Sequence, residues 1–433
     1  MLHLGHAALT LRSRNRLFLT PTDPLNCHFS FDLPPTFVKS SDTSIHLFPP
    51  TPTRMPHVDP VELTAQLVRI PSVNPALEEG GQGEAQMAER TAEWLESWGF
   101  RTETPEVAPG RFNVVARRGP EGGPRLLLNG HTDTVGVAGM EAPFSGAIRD
   151  GRLYGRGACD MKAGVAAALA AAAELGDLDL KGELVVALTA DEEHASLGMQ
   201  HLVASGMSAD GAIVCEPTGL AVMPAHKGFL WVDFLVHGRA AHGSRPDVGV
   251  DAIVHTGSLL TVLAEEGRRL EAQPPHPLLG HGSIHAGTIR GGTAPSVYPE
   301  ECSLTVERRT LPGESREGLL AEVNDMVARA REGNPDLAVD VSPGLFRAGT
   351  EVPTSGPLVT DLVRSLEAVG SASRIEGMTA WVDACFLNQA GTPALCFGPG
   401  SIAQAHGLSE WVDVEEIRTC RKVLVTFSRR LLT

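Results

Sequence analysis

No two of the seven cysteines form a CxxC pair; they stand alone at Cys27, Cys159, Cys215, Cys302, Cys385, Cys396 and Cys420. An odd, scattered set argues against a disulfide framework and against a thiolate zinc site, and it fits a reducing cytoplasm. Positive charge is short too: 36 Lys and Arg against 52 Asp and Glu leave a formal charge of −16. A chain of that sign repels a phosphate backbone, so nucleic acid is not an expected partner. Long apolar runs are missing. The longest, Gly164 to Ala173, is alanine-rich and falls short of the roughly 18–20 residues that cross a bilayer. It reads as a buried helix, and no membrane partner is expected.

What is present is enough chain, 433 residues, for two domains. Residues 1–54 are rich in Pro, Thr, Ser and Asn and lack periodicity. They read as a disordered extension or a mis-assigned start, with Met55 opening the folded part. Arg12, Arg14 and Arg16 precede only a weak apolar stretch without a small-residue cleavage site, which argues against a signal peptide.

From residue 59 the pattern alternates. Helical spacing at 59–70 and 84–98 is followed by strand-like runs at Phe112–Ala116 and Arg125–Asn129, then a helix at Lys162–Glu174. A strand at Leu184–Thr189, a helix at Leu197–Ser205 and a strand at Ala212–Cys215 continue it. This is the signature of an α/β sheet with helices on its faces. Near Gly228 the pattern changes to strand–helix–strand–strand–helix–strand, the order of a small ferredoxin-like α+β unit. The first pattern resumes with a helix at Pro357–Val369, a strand at Ala394–Phe397 and a helix from Val414. The expected organisation is a catalytic domain at 55–227 and 343–433, with a central mixed sheet, interrupted by a lid at 228–342.

Acids and histidines follow the strands. His131-Thr-Asp133 follows Arg125–Asn129, Asp191-Glu192-Glu193 follows Leu184–Thr189, and Glu216 follows Ala212–Cys215. Gly398-Pro-Gly leads from the 394–397 strand to His406. Ligands bind at that carboxyl-terminal edge in open α/β sheets. Asp160 sits in a glycine-rich loop before the alanine-rich helix. Carboxylates converging there repel one another unless a cation neutralises them. Oxygen and imidazole donors without thiolates suit Zn²⁺, with Co²⁺ or Mn²⁺ as alternatives.

Six stretches, in order, resemble the M20 metallopeptidase family. They are Asn129-Gly-His-Thr-Asp-Thr-Val, Gly155-Arg-Gly-Ala-Cys-Asp-Met-Lys-Ala-Gly, Thr189-Ala-Asp-Glu-Glu, Val214-Cys-Glu-Pro-Thr, Gly238-Arg-Ala-Ala-His-Gly-Ser-Arg-Pro and Gly398-Pro-Gly-Ser-Ile-Ala-Gln-Ala-His-Gly. The resemblance implies a zinc-peptidase-like catalytic domain and two divalent cations, with His131 and Glu216 on one, Glu193 and His406 on the other, and Asp160 bridging. It implies Glu192 as general base and Asp133 as the group that orients His131. On the lid, His242 is implied to reach across a homodimer to the reacting oxygen, and Arg309 to clamp a substrate carboxylate. Arg308 is its rival, since strand alternation lets only one face the cleft.

Ser296, where relatives carry Asn, and Asp383 are implied to contact substrate, and Asp251 to cap a helix. The substrate implied is an N-acyl amino acid, cleaved as by an acetylornithine deacetylase. Carboxypeptidase or dipeptidase action on a short peptide is the alternative, and a non-catalytic metal-binding relative the second. Retention of Glu192 beside every implied ligand favours an enzyme.

Overall fold

A computed structural model describes residues 58–433 apart from 138 and 177. The expectations for residues 1–54 and for Met55 lie outside the described residues.

A nine-stranded mixed sheet organises the chain. Its path runs Arg101–Glu103, Val114–Arg118, Glu183–Thr189, Arg125–His131, Gly211–Val214, Ala394–Cys396, Val222–His226 and Thr350–Glu351, and Ile375–Met378 also pairs with Val222–His226. The four middle strands are parallel, with His131 opposite Thr189, Asn129 opposite Val214 and Cys396 opposite Val214. Val114–Arg118 and Val222–His226 flank them antiparallel. All four parallel strands therefore end at one edge.

Alternation along these strands builds two cores. Leu126, Leu128, Leu184, Val186, Leu188, Ile213 and Leu395 face one side, where they meet the Ala163–Leu175 and Val414–Leu432 helices. Leu127, Val185, Ala187, Ala212, Val214, Ala394 and Cys396 face the other, against the Leu197–Ala204 and Ala384–Gln389 helices. Burial on both faces is why these strands read as continuous apolar runs. Each fully buried leucine contributes roughly 1.5–3 kcal/mol. The Ala163–Leu175 helix is buried at every position except Glu174, as its apolar run requires. Gly164 lets it approach the sheet, because a Cβ there would lie 1.9 Å from the Cys215 carbonyl oxygen. Among the described residues no helix is long and apolar enough to cross a membrane.

Residues from Gly228 to Arg347 form a separate antiparallel sheet in the order Ser283–Gly291, Glu301–Thr310, Gly228–His237, Ala338–Arg347. Two helices, Ala252–Glu271 and Arg316–Gly333, cover one face around Leu230, Val232, Phe234, Leu263, Leu304 and Met326. This is the ferredoxin-like order, and its last strand runs on past 342 to Arg347. Asp251 accepts the Val254 N–H at 3.0 Å, the expected cap. The Ser283–Gly291 strand is an exposed edge with Ile289 half-exposed, beside Ile253, Val254 and Leu260 of the first helix.

Candidate metal centre

The parallel strands deliver their polar groups together. His131 ends its strand, and its Nε2 lies 3.1 Å from Asp160 Oδ1. His406 Nε2 lies 3.4 Å from Asp160 Oδ2 and 3.1 Å from Glu193 Oε2. Asp160 thus offers one oxygen to each imidazole. Two groups of donor atoms result, His131–Asp160–Glu216 and Asp160–Glu193–His406, each with all its atoms within 4.8 Å of one another. The five implied ligands converge. Among the described residues Glu192, His242 and Asp383 belong to neither group.

The donor set fits a pair of divalent cations. Glu216 is buried and its Oε1 has no hydrogen-bond partner. Burial, then the charge of Asp160, pushes its carboxyl up to about 8. Burial and Asp160 also raise Glu193. Burial would raise Asp160, yet bonds to His131 and His406 hold it well below the usual carboxylate range. Burial would lower His131, and bonds to Asp133 and Asp160 carry it well above an ordinary imidazole instead. His406, half-exposed, is pushed up to about 10 by Asp160 and Glu193. Without cations the site therefore balances its carboxylates by holding protons on its histidines. Divalent ions supply that balance more fully.

Glu192 is half-buried beside the clusters, and burial together with the charges of Glu216, Asp383 and Glu193 raises it well above an ordinary glutamate. A carboxylate so placed suits proton transfer.

Asp133 differs in detail from expectation. His131 Nδ1 is 3.0 Å from the Asp133 main-chain carbonyl but 3.6 Å from its carboxylate. The imidazole is thus oriented chiefly by the backbone of the expected residue. The Asp133 carboxylate instead accepts the N–H groups of Glu192 at 3.0 Å and Glu193 at 3.2 Å, and the Asn74 amide at 2.8 Å.

Several organising residues escaped the sequence reading. Glu410 is buried and accepts from Cys159 N at 2.9 Å, Asp160 N at 3.0 Å, Gly157 N at 3.0 Å and Arg156 at 2.7 Å. It ties down the Asp160 loop from the far end of the chain. Gly157 permits that loop: its φ is +76°, and a Cβ would lie 2.7 Å from Thr134. Asn74 bridges Asp133 to Asp191 at 3.0 Å, and Arg111 joins Asp191 at 3.1 Å to the buried Glu84. No local motif marks these partners, which come from distant segments.

On the second sheet, Arg308 is buried and paired with Glu314 at 2.7 Å and Glu322 at 2.9 Å. Arg309 faces the other way, 5.4 Å over the Phe229 ring. His242 is exposed, with Nδ1 2.8 Å from Ser244 Oγ, and the Ser296 carbonyl accepts the Gly243 N–H at 2.7 Å. His242 and Ser296 thus lie on adjoining exposed loop segments, joined by an isolated bridge between His242 and Val297. Cys159 and Cys215, beside two of the converging acids, are buried thiols.

Two histidines facing one shared aspartate at the edge of a parallel sheet, with an uncommitted glutamate beside them, set the terms for comparison. A profile of peptidase family M20/M25/M40 matches residues 127–430. The chain belongs to this family. It is a metal-dependent hydrolase. It is similar to the acetylornithine deacetylase of Myxococcus xanthus, 35% identical over 354 residues that cover 76% of this chain and 88% of the relative. The acetylornithine deacetylase of Proteus mirabilis (strain HI4320) is 31% identical over 84% of this chain and 94% of its own. The fold matches a tripeptidase from Staphylococcus aureus with a TM-score of 0.73 at 18% identity, covering 87% of this chain and 99% of that one. It also matches an M20 family metallo-carboxypeptidase from Sulfolobus solfataricus with a TM-score of 0.70 at 16% identity, covering 86% and 98%.

Proposed function

We propose that this M20 member is a deacylase that cleaves the amide bond of an N-acyl amino acid, as the names of its acetylornithine deacetylase relatives imply. His131 and Glu216 would hold one divalent ion, Glu193 and His406 the other, and Asp160 both. Zinc suits two imidazoles among carboxylates, with cobalt and manganese as alternatives. When bound, such ions acidify a water and stabilise the oxygen that becomes negative during amide hydrolysis.

The chain's own residues then have separate tasks. Glu192 takes the proton from water and returns it to the leaving nitrogen. Asp133 holds the main chain beneath Glu192 and Glu193. Arg309 offers a forked pair of donors to the substrate carboxylate. His242, exposed within one chain, serves the site of a partner subunit. The exposed Ser283–Gly291 edge and the apolar residues Ile253, Val254, Leu260 and Ile289 support a homodimer through this sheet. Free, buried cysteines among the described residues support a cytoplasmic setting.

The observation that carries the reading is Asp160 between His131 and His406, with Glu192 left out of both ligand groups. The test is hydrolysis of N-acetylornithine, N-succinyl-diaminopimelate and a dipeptide panel, with and without chelator. Chelator-sensitive cleavage of an N-acyl amino acid is expected. Cleavage confined to dipeptides would replace the deacylase reading with a peptidase one.

A further inference from the structure

Two residues beyond the Glu183–Thr189 strand the chain turns at Asp191, which has φ +69° and is 1% exposed. Few residues other than glycine adopt this left-handed conformation. With a Cβ present it costs roughly 1–2 kcal/mol. The next residue is Glu192, so this turn sets the direction in which the proton-transferring carboxylate leaves the strand. Such strain persists only where the surroundings over-determine it. Here they do. Asp191 Oδ1 accepts the Asn74 amide at 3.0 Å and lies 3.1 Å from the Arg111 guanidinium. The half-exposed His194 ring is farther off, at 3.8 Å. The Asp191 main-chain N–H donates to Glu84 Oε1 at 3.2 Å, and its carbonyl accepts the Ala195 N–H at 3.1 Å. Arg111 closes the ring through a forked pair of bonds to the buried Glu84.

The same Asn74 amide that holds Asp191 also bonds Asp133 Oδ2 at 2.8 Å, and Asp133 Oδ1 takes the Glu192 N–H. The peptide that joins Asp191 to Glu192 is therefore gripped on both sides by partners that Asn74 ties together. Asp191 itself belongs to neither group of metal donors among the described residues. A glycine would make the turn without strain and without three buried charges around it. What a glycine lacks is an oxygen by which the turn is fixed in direction. We propose that Asp191 is a positioning residue: anchored by Asn74 and Arg111, it fixes the angle at which Glu192 meets the water and the leaving nitrogen. This rests on the reading of Glu192 as the base.

The test is a double-variant cycle on the full chain at saturating zinc, with the member of the substrate panel above that the wild type cleaves fastest. Asp191→Ala should lower kcat about 10–100-fold and leave KM unchanged, because the base is displaced and substrate binding is not. In the Glu192→Gln background the same change should cost nothing further, since the residue it positions is already disabled. Asp191→Asn keeps the oxygen and tolerates the left-handed turn, so it should recover most of the lost rate. Asp191→Gly keeps the turn without strain but has no anchor, so it should be slowed as the alanine variant is. If Asp191→Ala does not fold, Asp191→Gly takes its place in the cycle. Wild-type kcat in the glycine variant overturns the proposal. So does an equal loss with and without Glu192, which is the mark of general damage. A Glu192→Gln enzyme with the wild-type rate is a different failure: it ends the base reading itself, and a slow Asp191 variant then acts through some other group.

Discussion

Asp133 Oδ1 accepts the main-chain N–H of Glu192 at 3.0 Å. The residue next to the imidazole His131 is thereby fastened to the residue that would move the proton, and its second oxygen takes the Glu193 N–H at 3.2 Å. The same carboxylate is fixed by the Asn74 amide, and burial is outweighed by its bonds so that its pKa lies below the usual aspartate value. Asp133→Ala removes the fastening for both the base and a ligand. Turnover and metal affinity should each fall about 10–100-fold. Steady-state rates and metal content of the purified variant check this, and wild-type values for both would refute the positioning role.

Glu192→Gln tests the base itself. The amide has the shape of the carboxylate but cannot accept the proton. Because Glu192 stands outside both ligand groups, metal content should stay at the wild-type level. The rate should fall about 10²–10⁴-fold. Loss of metal together with activity would instead make Glu192 a ligand.

The strand ends were legible because they need only local pattern: an apolar run and then a polar group. Four runs closing in the same direction place His131, Glu193 and Glu216 at one edge with His406 beyond the fourth strand, whereas Asp160 arrives on the glycine-rich loop and the ligand set itself was implied by the family resemblance. The ferredoxin-like order was legible for the same reason, since its strands alternate cleanly, as in Gly228–His237. Short elements were not. The three-stranded sheet of Ala147–Arg149, Arg152–Tyr154 and Trp411–Asp413 is too brief to show a period. Glu410 was invisible for a different reason: its donors lie about 250 residues earlier in the chain and are main-chain N–H groups, which any residue carries. Alternation puts Arg308 and Arg309 on opposite faces, Arg308 buried against Glu314 and Glu322 and Arg309 beside Glu307 and Phe229, which the sequence pattern alone does not show.

Metal binding should release protons and tighten as pH rises. In the metal-free chain His406 is raised to about 10 by Asp160 and Glu193, and His131 is also raised. Both imidazoles therefore hold protons near neutral pH, and a cation must displace them. The folding contribution of protonated His406 has a matching sign. It is fully present below the unfolded value of about 6.5 and is lost as pH rises through about 10. Calorimetric titration with zinc in buffers of different ionisation heat measures the protons released. Zero release at pH 7, or weaker binding at higher pH, would contradict the charge balance described for the site.

Glu410→Ala should uncouple the Asp160 loop without touching any implied ligand. The side chain satisfies three main-chain donors and Arg156, all in the interior. Removing it leaves Arg156 as an unpaired buried cation, a change that costs about 3–5 kcal/mol. Thermal unfolding of the metal-free variant should show that loss, and metal affinity should drop because Asp160 is no longer held. Glu410→Gln keeps the shape and should fall between. An alanine variant as stable as wild type would mean that the loop finds its donors other acceptors.

His242 gives the sharpest test of site sharing between subunits. It is exposed in the single chain and lies outside both ligand groups. If it completes a partner's site, His242→Ala and Glu192→Gln homodimers are each impaired at every site. A mixed dimer places native His242 from one chain over native Glu192 of the other, restoring one site in two. Random reassortment of equal amounts makes half the dimers mixed, so activity should return to about a quarter of wild type. Refolding the two variants together and measuring turnover reads this directly. Recovery no greater than the sum of the separate variants would place His242 over its own chain's site or outside the chemistry.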